Sequence, residues 1–506
     1  MATQVQDLTP IKYGNFRRVG HAGVAGFGAA ATIVGFVGLV FTLIGLAFGG
    51  PKVGVVIFAL VVVGLRPTRR ARRDGRTAYE RRWAKIRNRQ ARKSGKAVLL
   101  QGPAGFVPDG KCRLPGLLAP SQLFTARDPF GAEFGVIVVP SAGHYTVTIE
   151  CSATGQDLLG LAEDNRQVAQ WGAFLAMVGE NPDVVGAQAV IETAPDTGMR
   201  LRDAILTQRK EDAPPFAVAV GDAQMELYPV GEASIRTWVT VTFASTRTAE
   251  DGKKGRRSRE EMAERLGNYV PMLLSQVRVS GGGLGARLMT AADLTDTVRV
   301  AFDPSVALDV ERARRDDGGT GLTWEEAGPV RLRPYDDLLQ HDRAYSQSWQ
   351  MTEPSTGSIS DRQLQRLLSP SKDIERKRVA LLYRPYDAMS AVNVVEQDVN
   401  STTFSASQKK RPTARQVREM TAANLTAEAE AEGAGITRFG IVITVTSTTT
   451  EKAARAAAAV TQLATPARLR LRPTLGNQEV AFTSSLPCGL VLPYHAALPV
   501  EMREYF

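Results

Sequence analysis

Residues that carry chemistry are scarce in this chain. Its three cysteines (Cys112, Cys151, Cys488) stand far apart in 506 residues, with no CxxC, so a disulfide scaffold and a zinc ribbon are both excluded. The four histidines (His21, His144, His341, His495) fall in no metal-ligand spacing. No GxxxxGK[ST] occurs, because Gly95-Lys96, Gly110-Lys111 and Gly252-Lys253 are each followed by the wrong residue. The run Gly281-Gly282-Gly283-Leu284-Gly285 lacks the last glycine of GxGxxG and reads as a tight turn. GxSxG, HExxH and HxE…CxxC are also missing. The carboxylate pairs Asp316-Asp317, Glu325-Glu326 and Asp336-Asp337 sit in loops crowded with Arg and Gly. Acid/base work needs a buried setting that splits two pKa values, so these pairs read as solvated surface. The expectation is a protein that is not an enzyme, with no catalytic residue, no metal and no cofactor.

What is present is concentrated near the N-terminus. From Ala22 to Leu65 the only charge is Lys52. A spanning helix needs about 20 apolar residues, so this stretch is too long for one span and sufficient for two. Gly49-Gly50-Pro51-Lys52 supplies the break, giving a hairpin of Gly23–Phe48 and Val53–Leu65. A signal peptide is the rival, and two apolar blocks followed by an arginine run fit it poorly. Lys12, Arg17 and Arg18 before the hairpin and the arginines after it place both ends in the cytoplasm and Lys52 outside. The expectation is a two-pass inner-membrane protein with a large cytoplasmic region. Gly45-x-x-x-Gly49 allows close helix approach, either between the two spans or against another membrane protein.

The net charge of +10 is local. Arg66 to Lys96 holds fourteen Lys/Arg and two acids, which leaves the bulk of the chain slightly acidic. Tyr79, Trp83 and Ile86 recur there at helical spacing, so the tract reads as a basic juxtamembrane helix. Arg66, Arg69, Arg70, Arg72, Arg73, Arg76, Arg81, Arg82, Trp83 and Lys85 are its candidate contacts. Anionic headgroups attract such a segment by roughly 1 kcal/mol per basic residue, which favours the membrane surface. An acidic partner protein and nucleic acid are the other two readings. Aromatics suited to base stacking are few, Tyr79 and Trp83 alone.

The remainder is α+β. Phe134–Val139 and Tyr145–Cys151 form a hairpin, an amphipathic helix carries Val168, Trp171, Phe174, Leu175 and Val178 on one face, and Val184–Thr193 returns as a strand. A helix over 216–227 and a strand over 235–246 follow. Ser258–Glu261 is a capping box, opening a helix to about Ser275, with Gln276–Ser280 read as a short strand and a further helix from Thr290. The C-terminal quarter repeats this order: strand 440–447, a capping box at Thr448–Glu451, an alanine-rich helix, strand 468–472, a turn at Gly476 and a helix over 479–485. Between them lie strands around 346–351 and 378–383, a helix over 361–368, and a helix capped by Thr413–Gln416 that ends near Gly433. The order predicts two related split-βαβ-type units. The divisions are a cytoplasmic N-terminal segment (1–21), the transmembrane hairpin (22–65), the basic helix (66–100), and α+β units over 101–310 and 311–506. Trp324, Glu325 and Glu326 are read as a partner-contact site.

Several stretches carry a likeness to a known family. Tyr13-Gly-Asn-Phe-Arg17, the glycine-rich hairpin, the arginine helix, Glu192-Thr-Ala-Pro-Asp-Thr-Gly198, Leu322–Pro329, Leu381–Asp387, Leu469–Gly476 and Leu486–Pro493 resemble a family of actinobacterial membrane proteins. That family is encoded in conjugative and secretion clusters beside small PrgI-like membrane proteins and VirB-type ATPases. The layout is also similar to the EccE component of type VII secretion. The ending Ala481–Gly489 is similar to the amino-terminal, non-ATPase domain of VirB-type ATPases. The resemblance implies a non-catalytic scaffold of a conjugative, type IV-like machine that docks a translocation ATPase supplied as a separate chain. It supplies no catalytic residue to transfer.

Overall fold

Residues 12–13, 16, 29–66, 82, 86, 89–90, 93–95, 98–152 (except 104, 106 and 108), 160–227, 233–248, 254–355, 359–386, 388–407, 411, 413–433 and 435–496 are described by the computed structural model. An apolar helix, α1 (Ala29–Leu65), precedes an α+β region built on one thirteen-stranded sheet.

The first half of that region runs β3 (Gln122–Arg127), β4 (Glu133–Val139), β5 (His144–Cys151), α2 (Leu161–Glu180), β6 (Val184–Pro195), α3 (Met199–Gln208), α4 (Pro215–Leu227), β7 (Ala233–Ala244), α5 (Arg259–Val277), β8 (Arg287–Leu288) and α6 (Ala291–Phe302). Two short strands come before it, β1 (Lys12–Tyr13) and β2 (Leu99–Leu100). The second half runs β9 (Arg331–Pro334), β10 (Leu339–His341), β11 (Ala344–Glu353), β12 (Ile359–Ser360), α7 (Gln365–Leu368), β13 (Arg376–Pro385), α8 (Ala388–Ser407), α9 (Ala414–Ala431), β14 (Thr437–Ser447), α10 (Thr450–Ala464), β15 (Arg470–Pro473) and α11 (Gln478–Ser484). The order hairpin, helix, strand, helix pair, strand, capped helix, short strand, helix occurs twice.

Sheet order is β2-β9-β10-β11-β14-β13-β6-β7-β5-β4-β3, with β8 on β5 and β15 on β11. Apart from β2 it reads the same from either end once matching strands are paired, so the strand order is symmetric about the β6–β13 pair. Every pairing along this order is antiparallel. The seam joins the halves through residues about 190 positions apart, with Val190 opposite Ala380 and Glu192 opposite Arg378.

Central strands are buried on both faces, which is why β4 reads as a continuous apolar run rather than an alternation. On one face each half has its own core. Helices α2 and α5 cover Phe134, Val136, Val147 and Val241, while α10 covers Val379, Ile443 and Val445. The opposite face carries a core common to both halves, holding Ile137, Val190, Trp238, Phe302, Leu339 and Phe482.

In each half the end of the last helix, or the residues just after it, bonds to the other half. Phe302, at the end of α6, accepts from His341 Nδ1 at 2.5 Å, and His341 Nε2 accepts from Ser346 Oγ at 2.7 Å. From the other direction, Gln188 Nε2 donates to Ser484 O, Thr148 Oγ1 to Pro487 O and Thr242 Oγ1 to Gly489 O.

Burial pushes the His341 imidazole down to about 4, against the raising effect of the Phe302 carbonyl. Burial also takes His144 down to about 4, helped by His495 and Arg256. Both are lowered from 6.5, so the unfolded chain binds more protons than the folded one between pH 6.5 and 4. Their stabilisation is complete above about 6.5 and is lost as pH falls towards 4, up to about 3 kcal/mol each. Urea unfolding from pH 7 to 4.5 is expected to show this decline, reduced in His341→Gln. An unchanged slope in the variant would remove His341 from the account.

Two local assignments are corrected. The expected strand at Gln276–Ser280 is helix to Val277 followed by a wide turn over Arg278–Gly282. Gly281 (φ 93°) and Gly283 (φ 80°) reverse the chain first, and pairing with β5 begins only at Arg287. The cap of α10 is Thr449, whose hydroxyl accepts from Lys452 N. Thr448 is drawn away, donating from its backbone N–H to Glu375 Oε2 at 2.8 Å.

Candidate functional site

The apolar surface of α1 is almost wholly uncovered: Phe36, Phe41, Phe48, Val55 and Leu60 are among its exposed side chains. Helical backbone is interrupted at Gly50 (φ 78°, ψ 173°), next to Pro51. A positive φ is open to glycine, and proline cannot donate to the preceding turn. In one straight helix Gly38 and Val61 would lie roughly 34 Å apart. Instead a Cβ on Gly38 would sit 2.7 Å from Val61 Cγ1, and one on Gly45 2.6 Å from Ile57 Cδ1. The stretches on either side of Gly50 therefore lie side by side. Gly45 and Gly49 both face the second stretch, Gly49 against Val53. Gly38 belongs to the same stripe, and its seven-residue spacing from Gly45 is the sequence signal for it.

This geometry is testable directly. The Gly38 Cβ position is 3.3 Å from Val61 Cβ, close to disulfide range. A G38C/V61C variant is expected to cross-link within one chain on mild oxidation in native membranes. Adding Gly45→Leu is expected to suppress it; intermolecular cross-links alone would contradict the side-by-side arrangement.

Arg66, directly after α1, is exposed, and Arg82 is helical and exposed. Arg69, Arg70, Arg72, Arg73, Arg76, Arg81, Trp83 and Lys85 lie outside the described residues.

The proposed contact at 324–326 is corrected in part. Trp324 is buried (7 % exposed), and its indole N–H donates to Ser121 Oγ at 2.9 Å. It anchors the loop to the common core. Glu326 is turned inward locally, accepting from Thr323 N and Oγ1, which holds its carboxyl below the usual value. Glu325 is exposed and pairs with Lys111 at 3.0 Å. Between these loops lies an open cleft of about 380 Å³ lined by Asp109, Lys111, Cys112, Arg299 and Glu326. Burial raises the Cys112 thiol, so no reactive thiolate is prepared there.

A buried ionic row escaped the sequence reading. Glu192 Oε1 accepts from Arg376 Nη1 at 2.9 Å, and Oε2 accepts from Arg378 Nε at 2.8 Å and from its Nη2. Burial alone would raise this carboxyl, but Arg378 and Arg376 overcome that and hold it low. The available signal was three charges standing where β6 and β13 are otherwise buried. Among the described residues no three His, Cys, Asp or Glu side chains converge as a metal site.

The molecule is thus an α+β protein carrying an N-terminal apolar helix long enough to cross a membrane. Residues 21–80, the apolar stretch and the start of the arginine tract, match a family described as a domain of unknown function (DUF8461). No curated protein matches the chain.

Proposed function

We propose that this chain is a non-catalytic inner-membrane scaffold of a conjugative, type IV-like translocation machine, docking a VirB-type ATPase supplied separately. In this reading α1 is a two-pass hairpin, both termini and the α+β region are cytoplasmic, and the arginine tract rests on anionic lipid. The observation that carries the anchor is the uncovered apolar surface of α1, folded back on itself at Gly50. The machine and its ATPase rest on the resemblance of the stretches from Tyr13 to Pro493. A rigid sheet fused across two halves, with buried carboxylates held in internal ion pairs such as Glu192–Arg378 and Asp296–Arg314, suits a scaffold.

The test is a pull-down of the tagged full chain from its native membrane, identified by mass spectrometry at two salt concentrations. Co-purification of a VirB-type ATPase with small PrgI-like membrane proteins is the expected result. Recovery of lipid and DNA alone, lost at high salt, would overturn it. Lys52→Cys is expected to react with an impermeant maleimide from outside the cell; protection there would reject the two-pass topology.

A further inference from the structure

The common face holds buried hydrogen-bond donors that have no acceptor. Arg376 and Arg378 direct their hydrogen bonds to Glu192, leaving Arg376 Nε and Arg378 Nη1 buried and unpaired. Gln478, 1 % exposed, accepts from Ser348 N through Oε1, and its Nε2 is also unpaired.

Arg376 and Arg378 share one carboxylate, so their guanidiniums are neighbours. Ser348 Oγ lies 2.9 Å from Thr444 Oγ1, and Thr444 stands opposite Arg378 in the β13–β14 register. Phe482 follows Gln478 by four residues on the same face of α11, and its ring centroid is 5.8 Å from Arg378 Cζ. Gln478 and Arg378 therefore approach the same spot from the helix and the sheet.

Charge points the same way. One carboxylate balances one of two buried guanidiniums, and Arg236, opposite Glu192 on β7, adds a further cation. Asp303 and Asp342 are near but share Arg299 between them. A guanidinium does not lose its proton in a protein, and an uncompensated buried charge is strongly unfavourable.

We propose that Arg376, Arg378 and Gln478 bind one small monatomic anion of chloride's size and charge. A single negative charge matches the excess that Glu192 leaves on the two buried guanidiniums, Arg236 being only half-buried. Three N–H donors suit a monatomic acceptor, whereas a tetrahedral oxyanion would bring buried oxygens with nothing to accept from. Because the site straddles β13 and α11 beside the seam with β6, occupancy links the joint stability of both halves to anion concentration.

The experiment uses the full detergent-solubilised chain, moved from gluconate to chloride at constant ionic strength. Tm is expected to rise by several degrees and saturate, and bromide is expected to act alike. Gln478→Glu places a carboxylate at the site and is expected to abolish this response while the chain stays folded by circular dichroism. A wild-type Tm indifferent to chloride would overturn the proposal, since water then serves these donors. An equal response in Gln478→Glu would do so too, as a general salt effect. Should that variant not fold, the anomalous signal of bromide-soaked wild-type crystals decides: a peak against Arg378 and Gln478 supports the site, and its absence there overturns it.

Discussion

Glu192→Gln is expected to destabilise the α+β region by about 3–5 kcal/mol, because it leaves buried guanidiniums facing a neutral amide. The substitution keeps size and shape, so the loss reports charge and hydrogen bonding rather than a cavity. Glu192 is 5 % exposed and sits at the β6–β13 seam, opposite Arg378. Its removal should therefore loosen the joint between halves before either separate core. Urea unfolding of the full chain should show a lower midpoint. Amide exchange should rise first at the seam strands β6 and β13. Replacing all three charges together, Glu192→Leu with Arg376→Leu and Arg378→Met, is expected to recover much of the loss, because paired apolar replacements no longer strand a charge. If Glu192→Gln alone changes stability by less than about 0.5 kcal/mol, the ionic row does not hold the seam together.

Gly489→Ala is the second large effect. Gly489 has φ 64°, the left-handed region, and a Cβ there would lie 2.3 Å from Thr242 Oγ1 and 2.4 Å from Thr146 Cγ2. Those hydroxyls are already engaged, Thr146 with Thr242 at 2.9 Å and Thr242 with Gly489 O at 2.8 Å. The alanine meets a backbone penalty of roughly 1–2 kcal/mol and overpacking of about 1–3 kcal/mol. A loss of about 2–5 kcal/mol in total is expected, with residues 486–490 displaced from the first half and newly open to protease. Gly440→Ala is the control: it also lies in a central region, on β14, but its Cβ would meet nothing within 4 Å. That variant should stay near wild type. Equal losses in both would point to a generic glycine effect and remove the close approach of Gly489 to Thr146 and Thr242 from the explanation.

Much of the local structure could be read from residues alone because its causes are local. The capping boxes at Ser258 and Thr413 and the helix start at Thr290 stand where the sequence puts them, each a hydroxyl serving an amide three residues on. Helix α8 was not anticipated: in Ala388–Ser407 the buried positions, Ala391 and Val395, make only a narrow stripe among mixed polar and apolar residues. Trp324 looked like a contact residue because its neighbours are acids, yet its indole finds Ser121 more than 200 positions away. The ionic row was hidden for the same reason. Glu192, Arg376 and Arg378 are ordinary surface-type residues until β6 and β13 meet.

By itself the sequence determined the apolar stretch broken at Gly50, the localised basic tract, the repeated order of strands and helices, and most helix starts. These follow from apolar run length, charge and i,i+3 chemistry, all of which act within a few residues. Tertiary structure alone decided that the halves fuse through β6 and β13 into one sheet, that the end of each half bonds to the other, and that one face is a common core. Strand partners separated by about 190 residues are selected by whole-surface fit and by pairing of buried charge, and periodicity along the chain carries no record of that choice.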